Sequence, residues 1–575
     1  MRKLSHSVDF CVVGGGIAGM CAALAAARED ARVAIMHDRP VFGGNSSSEI
    51  RVHVCGADRH GKIPNIRETG ILEELRLENL RRNPQRSFSI WDTVLYEKLA
   101  LEPNIRILLN CSCLKASARD ARIRSVTGWQ STTETYHTVK AALFADCSGD
   151  GILAPLTGAE YRIGREGRDE YGETIEPEVA DRKTMGMTCL FQAKDTGQPQ
   201  PFEPPPWAYD YPNEEDLPHR GHGHLEMGYW WVELGGEDDS IHDTEQLRHE
   251  LLRIVFGIWD HLKNHGDHGA GNWVLDWIQF LPGKRESRRY LGDYVLTQND
   301  IESEGRFPDL VAYGGWTMDD HNPGGFRYPG PPTIFHPVPS PYGIPFRSLY
   351  SRSIANLMFA GRCASMSHAA MSSTRLQGTG AVMGQAVGTA AAMTIRHGLL
   401  PREVGQKHIH ELQQSLLRQD CYLPWVKQEF SALTQHARLS ASSGDPEPLR
   451  DGTNRPVGED QHCWEGGIGD SIEYTWDDPQ SVSTMILICD SALSSLIQMS
   501  YHQRDNHLHQ IPEEMLRDFR IEVRTPEGWK LARKVKGNYQ RLARVEIGAQ
   551  ATGVRVTFDS TWGAERVRLY AFYLD

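Results

Sequence analysis

The stretch from Val8 to Gly19 reads Val-Asp-Phe-Cys-Val-Val-Gly-Gly-Gly-Ile-Ala-Gly and runs straight into Met20-Cys-Ala-Ala-Leu-Ala-Ala-Ala. An apolar run that breaks at glycines and resumes as an alanine-rich helix is a strand, a tight turn and a helix N-terminus. Gly14 permits the turn, Gly16 lets the backbone approach a pyrophosphate, and Gly19 lets the helix pack against the strand, while free N–H groups and the positive helix end face the anion. The next strand, Ala31 to Met36, arrives at the spacing a dinucleotide fold requires. The position where an acid should end that strand is His37, with Asp38 one place later. Either Asp38 takes the adenosine ribose after a small shift or His37 does so as a neutral acceptor; Asp38 is the preferred reading.

A chain of 575 residues is too long for one core, so two or three domains are expected. A net charge of −14 leaves no basic footprint for nucleic acid and disfavours an anionic membrane surface. No run approaches the ~18 apolar residues of a membrane span, and the chain enters its first strand directly after Met-Arg-Lys-Leu-Ser-His-Ser, so no signal peptide and a cytoplasmic location are expected. The eleven cysteines are scattered, and no CxxC pair occurs. Buried free thiols fit this pattern better than a disulfide framework or a thiolate metal site.

Beyond the second strand, Phe42-Gly-Gly-Asn-Ser-Ser-Ser-Glu-Ile-Arg51 is a loop of short hydrogen-bonding groups suited to phosphates or a ring edge. Helices are read at Ile66 to Leu80 and Trp91 to Leu101, and strands at Ile105 to Leu109, Ala121 to Trp129 and Thr135 to Ala145. The last strand leads into Asp146-Cys-Ser-Gly-Asp-Gly151, which returns the chain to the carboxyl edge of the sheet beside the first glycine turn. From about residue 158 to 345, prolines cluster and tryptophans appear, the mark of an inserted domain forming a substrate cavity. The nucleotide pattern resumes with a strand at Leu357 to Ala360 and a small-residue helix from Thr379 to about Arg396. Helical patterning through Phe430 leads to a polar hinge at Ser440 to Pro448, after which alternating strands have the rhythm of a β-sandwich. The fold class is therefore α/β: a split Rossmann-type domain (residues 1–157 and 346–400), an inserted α+β substrate domain (158–345), a helical linker (401–440) and a C-terminal all-β sandwich (441–575).

Together, Val-Val-Gly-Gly-Gly-Ile-Ala-Gly, Phe-Gly-Gly-Asn-Ser-Ser-Ser-Glu-Ile-Arg, Asp-Cys-Ser-Gly-Asp-Gly, Gly283-Lys-Arg-Glu-Ser-Arg-Arg289 and Ala360-Gly-Arg-Cys-Ala-Ser-Met-Ser-His-Ala-Ala-Met-Ser-Ser-Thr-Arg375 resemble the bacterial FAD-dependent oxidoreductases of glutathione-reductase-type fold. The likeness is to the subgroup often labelled xanthan lyase, whose members carry a galactose-binding-like sandwich at the C-terminus. The resemblance implies FAD as cofactor. It places Gly14, Gly16 and Gly19 at the pyrophosphate, Asp38 and Arg39 at the adenosine side, and Gly44, Asn45, Ser46 and Ser47 along the phosphates and the middle of the flavin. Asp150 would hold ribityl or phosphate-linked groups, and Gly361, Arg362, Gly378 and Thr379 would close over the ring.

Oxidising an alcohol with a flavin passes a hydride to N5 while a base takes the hydroxyl proton, so the site needs a base and an orienting group. His368, in the segment that closes over the flavin, is the first expectation for the base, since an imidazole with a pKa near 6.5 suits the task. His321 is the second, with Asp319 beside it and Trp316 offering a face for a sugar ring. Arg375 can stabilise charge at the flavin N1 side. Arg285 and Arg288 can clamp a substrate anion with Glu286 fixing one of them, or form an interdomain ion-pair network. Cys55 is read as a structural thiol rather than a nucleophile or flavin tether. His219-Arg-Gly-His-Gly-His224 has no carboxylate or thiolate at ligand spacing, so it is read as a histidine-rich loop near the substrate and no metal centre is expected.

The resulting reading is a redox enzyme that oxidises a hydroxyl-bearing carbon of a carbohydrate or glycoside. Redox-assisted glycoside cleavage with FAD recycled, and a catalytically silent carbohydrate-binding protein, stand as alternatives. The expected partners are a small-molecule substrate, a sugar or glycoside, and a separate electron acceptor; a homo-oligomer is compatible with the sequence.

Overall fold

The computed structural model describes residues 1–500 and 507–575. At its centre five parallel strands lie in the order Leu357–Phe359, Leu143–Asp146, Phe10–Val13, Val33–Met36, Ile105–Leu108. The inner strands are apolar throughout except for Asp146 at the end of one, because both faces of a parallel sheet are covered. The strand Phe10–Val13 lies between its successor Val33–Met36 and the much later Leu143–Asp146, so strand order reverses there, the sheet opens a crevice at its carboxyl end, and both glycine turns face that crevice. At Gly14 φ is +109°, and a Cβ there would lie 2.3 Å from the Cys147 carbonyl carbon and oxygen. The first turn and the Asp146–Gly151 turn therefore touch backbone to backbone, as expected from their sequences.

Two helices complete this centre, Ile17–Arg28 and Gln377–His397. A Cβ at Gly384 would lie 2.1 Å from the Ala18 carbonyl oxygen, and one at Gly388 2.2 Å from that of Ala22. The small residues read from sequence thus let two backbones meet, and this contact joins the halves of the split domain across the insertion.

Several element boundaries differ from the sequence reading. The segment Thr135 to Ala145 is two strands: Thr135–Lys140 pairs with Arg122–Gln130 in a four-stranded sheet, and Leu143–Asp146 enters the parallel sheet. Residues Arg2–Ser7 are themselves a strand, parallel to Thr135–Lys140. Periodicity within one segment cannot show that the chain changes sheets partway. The helix expected to reach Phe430 ends at Arg418.

The insertion is α+β, with short antiparallel pairs such as Phe191–Asp195 with Trp273–Ile278 packed on the helix Thr244–Asn264. The C-terminal sandwich is antiparallel, in the order Trp464–Gly467, Arg566–Leu574, Ser471–Cys489, Leu542–Thr561, Leu516–Thr525, Gly528–Val535. Ser471–Cys489 and Leu542–Thr561 shift register between Thr475 and Gln480 and again between Val482 and Thr484, and such bulges bend long strands so that both layers share them. The expected hinge at Ser440 to Pro448 is instead docked structure: Arg438–Ala441 pairs with the Ser471–Cys489 strand, and Glu447–Arg450 is a 3-10 turn. Among the described residues no helix is long and apolar enough to cross a membrane.

Because Gly388 faces a backbone oxygen rather than a movable side chain, Gly388→Ala is expected to lower unfolding free energy by about 1–3 kcal/mol. Gly271→Ala, where no atom lies within 4 Å of the added methyl, should change it by less than about 0.5 kcal/mol. Denaturant titrations of the two variants check this.

Candidate active site

Four glycines face one another around the crevice. A Cβ at Gly44 would lie 3.1 Å from the Gly16 Cα, and one at Gly380 3.6 Å from the Gly361 Cα and 3.8 Å from the Ala18 Cβ. Gly16 is the N-cap of Ile17–Arg28, and Gly380 lies in the first turn of Gln377–His397, so both helix N-termini aim into the same groove. Ser46 and Ser47 turn their hydroxyls back onto the Gly43 and Gly44 carbonyls (3.0 and 2.8 Å), fixing the loop's shape rather than pointing outward. Asn45 donates to the Lys284 carbonyl at 3.3 Å and ties this loop to the insertion.

His37, one of the two ribose candidates, is engaged within the turn itself. Its Nδ1 accepts the Gly15 N–H at 3.0 Å, and its Nε2–H donates to the Val41 carbonyl at 3.1 Å. Burial lowers its pKa to about 4, so the ring is neutral and both nitrogens are spent on the turn. The neighbouring Asp38 side chain is 60% exposed, while Arg39 lies 3.7 Å from Glu49.

A cleft lies where this crevice meets the insertion, lined by Asn45, His53, Cys55 and Arg362 on one side and by Trp230, Gln279, Lys284 and Arg285 on the other. Arg375, Leu376 and Gln377, at the start of the second nucleotide-facing helix, complete it. Buried polar atoms without hydrogen-bond partners gather here: Arg362 Nη1, Arg375 Nε, Gln377 Oε1 and, behind them, Thr379 Oγ1. Gly378 donates its N–H to the Cys55 carbonyl at 2.8 Å. The Cys55 thiol is pushed up by burial, which keeps it protonated and favours the structural reading.

Charge on the two walls is arranged by carboxylates. Burial would raise the pKa of Asp150, but Arg362 and Lys284 outweigh it and hold the acid near 2. Its oxygens accept from Lys284 Nζ (2.9 Å), Ser287 Oγ (2.8 Å) and Arg362 Nη2 (3.3 Å). On the other side, Glu233 accepts from His321 Nδ1–H at 2.6 Å, and His321 Nε2 accepts from Arg375 Nη2 at 3.1 Å. Burial lowers the His321 pKa despite Glu233, so the ring is neutral and serves as a link. Burial and the like charge of Arg285 bring Arg375 down to about 10, still protonated at neutral pH.

Three expected roles change. His368, the first expectation for the base, does not line the cleft. It is 2% exposed and its Nδ1–H donates to Glu286 at 2.8 Å. Burial opposes its charge, yet Glu286 and Glu176 outweigh burial and raise its pKa to about 9, so it stands protonated and cannot accept a proton near neutrality. Arg285 and Arg288 do not clamp together. Arg285 is taken up by Thr188 Oγ1 (2.6 Å), the Trp230 carbonyl (2.8 Å) and Glu233 (3.4 Å), while Arg288 turns to the Asp150 carbonyl (3.1 Å). Glu286 fixes Arg289 and His368 rather than either of them. Asp319 is closed on Trp316 Nε1–H (2.7 Å) and Thr317 Oγ1 (2.6 Å), so Trp230, not Trp316, presents the ring at the cleft.

His53 and Glu233 were not singled out from the sequence, and Trp230 entered only as one of the tryptophans of the cavity-forming insertion. A histidine alternating with valines just after the second glycine loop, and a lone glutamate in the apolar run Trp230-Trp231-Val-Glu-Leu234, are the signals that point to them.

The raised pKa of His368 carries a stability consequence. A group whose folded pKa of about 9 exceeds its unfolded value near 6.5 stabilises fully below the lower value, and that contribution is lost as pH rises through the higher. The parent should therefore exceed His368→Gln by on the order of 2–3 kcal/mol at pH 6, a gap that closes toward pH 10. Denaturant unfolding across that range measures it.

No curated protein matches the chain. Among solved structures, a geranylgeranyl bacteriochlorophyll reductase-like protein from Thermoplasma acidophilum is 12% identical, over 72% of this chain and 86% of that one, with a TM-score of 0.33. The family 32 carbohydrate-binding module of Streptococcus pneumoniae EndoD is 17% identical over 25% of this chain and 99% of its own, with a TM-score of 0.20. The family 32 module of C. perfringens NanJ, solved with galactose, is 10% identical over 25% and 96%, with a TM-score of 0.18. The FAD dependent oxidoreductase family matches residues 9–416, both halves of the nucleotide fold and the insertion between them, and the chain belongs to that family: it is an FAD-binding oxidoreductase.

Proposed function

We propose that this oxidoreductase removes hydride from a hydroxyl-bearing carbon of a carbohydrate or glycoside held in the cleft between the nucleotide fold and the insertion. The observation that carries the reading is the meeting there of an imidazole (His53), an aromatic ring (Trp230) and a guanidinium with an unpartnered nitrogen (Arg375).

The residues present fit FAD. The open glycine groove at Gly16, Gly44, Gly361 and Gly380 leaves the room a side chain would fill, two helix N-termini favour the pyrophosphate, and Arg362 Nη1 and Thr379 Oγ1 await partners. In this reading Gly14, Gly16 and Gly19 serve the pyrophosphate, and Asp38 takes the ribose because His37 is spent. The Gly44–Ser47 loop contributes its backbone, and Asp150 acts by holding Lys284, Ser287 and Arg362 in place. When bound, FAD supplies the hydride acceptor.

The chain's own residues do the rest. His53 is the imidazole at the cleft and takes the hydroxyl proton as general base. Arg375 holds the substrate oxygen as charge develops on it, oriented through His321 by Glu233. The Trp230 face beside Gln279, Gln377 and Lys284 suits a ring that is apolar on one face and hydroxylated at its edge.

Anaerobic visible spectroscopy during addition of mono- and disaccharides and aryl glycosides tests this: one sugar should bleach the flavin band. Cleavage of a glycoside with the band unchanged would replace net oxidation by redox-assisted cleavage. With a reducing sugar in hand, His53→Gln is expected to slow flavin reduction by about 10²–10⁴-fold while leaving the oxidised spectrum intact. Reduction of that variant at the parent rate would remove His53 from the role.

A further inference from the structure

Away from the cleft, four side chains of the insertion converge on one point that the redox chemistry does not use. Glu214 sits in the 3-10 turn Glu214–Asp216, His222 in the loop beyond it, His261 in the last turn of the helix Thr244–Asn264, and His268 in the segment that follows that helix. Glu214 Oε2 lies 3.1 Å from His222 Nε2, and Glu214 Oε1 lies 3.3 Å from His268 Nε2 and 3.5 Å from His261 Nε2. All four candidate atoms fall within 4.8 Å of one another. A tetrahedral ion with bonds of about 2.0–2.1 Å sets its ligand atoms about 3.3 Å apart, so the carboxylate-to-imidazole spacings are already those of a coordination shell.

Two independent features point to a ligand at that centre. First, His222 Nδ1 and His261 Nδ1 each lie 2.7 Å from a backbone carbonyl, of Arg220 and Tyr211 respectively. A carbonyl only accepts, so the proton is on Nδ1 and each Nε2 presents its lone pair inward, the arrangement that orients metal-bound imidazoles. Second, Nε2 of His261 and of His268 makes no hydrogen bond although both atoms are buried, and the His261 side chain is only 1% exposed. Three imidazole rings with centroids 4.7–5.2 Å apart, two of them with lone pairs facing inward, are costly to bury without a cation between them.

We infer that Glu214, His222, His261 and His268 bind one Zn²⁺ ion. Three imidazole nitrogens and one carboxylate oxygen suit zinc, and four protein donors close the shell, which makes the site structural rather than catalytic. The expectation of no metal rested on the absence of a carboxylate within the histidine-rich loop. The fold supplies Glu214 from just before that loop, His261 from the helix Thr244–Asn264 and His268 from the segment that follows it. Only one histidine of His219–His224, His222, takes part. The ion would pin the loop whose continuation forms the cleft wall: Trp231 Nε1–H donates to the Gly221 carbonyl at 3.0 Å, and Trp230 lines the cleft.

The test uses the flavin-loaded full chain, purified without an affinity tag, stripped with a chelator and reloaded with Zn²⁺ alone. Elemental analysis after gel filtration should find one zinc per chain, and Co²⁺ in its place should give the visible bands of a tetrahedral ion at wavelengths beyond the flavin. Glu214→Gln, at an exposed position that should leave folding and the flavin spectrum intact, and His222→Gln should each weaken zinc binding at least as much as the about 10–100-fold that loss of an outer-shell partner brings. A chain that retains well under one zinc would overturn the inference. So would zinc that survives both substitutions but leaves with Cys55→Ser, since the ion would then belong to the His53, Cys55 and His60 group.

Discussion

Everything that defines the site depends on two helices touching through glycine. Gly384 and Gly388 let the helix Gln377–His397 lie against the carbonyls of Ala18 and Ala22 on Ile17–Arg28. With side chains there the helices would separate, and their N-termini would no longer share one groove. The same logic operates at Gly14, where the first turn presses on the Cys147 carbonyl. Sequence segments some 350 residues apart are thereby held at backbone distance, and an insertion between them is tolerated because it enters and leaves without disturbing these contacts.

Charge inside the molecule is divided between two buried networks with different consequences. Behind the groove, Glu166, Glu286 and Arg289 surround a protonated His368, and the nearby Glu176 is pushed up to about 7 by burial. These groups neutralise one another and anchor the segment after the strand Leu357–Phe359. At the cleft, by contrast, Glu233, His321 and Arg375 form a chain whose far end carries an unpartnered nitrogen. A network sealed away from any cavity serves stability, whereas one that ends at a cavity is available to a ligand.

The C-terminal sandwich is bound to the nucleotide domain rather than tethered to it. Arg67 is buried between Glu73 and the carbonyls of Ser491 and Ala492, Arg455 donates to the Arg67 carbonyl at 3.0 Å and Thr69 Oγ1 at 2.8 Å, and Arg541 pairs with Asp420 at 2.9 Å. Leu77 and Leu80, from the helix Ile71–Arg82, enter the sandwich core. Buried guanidiniums that satisfy several carbonyls at once fix an orientation, because removing either side would strand a desolvated charge.

The sequence alone determined the nucleotide fold, its division around an insertion and the alternating strands at the end, because each rests on local patterns: a glycine turn between strand and helix, alanine-rich helices, period-two alternation. It also carried the resemblance that implied FAD. What it could not determine was which polar residues meet. His368 has the residue type and the neighbourhood of a base, yet the glutamates that keep it protonated come from segments 80 to 200 residues away. His37 stands where an acid should be, and only the packed turn shows that both its nitrogens are used. Within its own loop His222 meets only the Arg220 carbonyl, and the fold alone brings it to His261, His268 and Glu214. Backbone geometry is written in short-range patterns, whereas protonation, pairing and ligation depend on distance, burial and opposing charge, which exist only after the chain has folded.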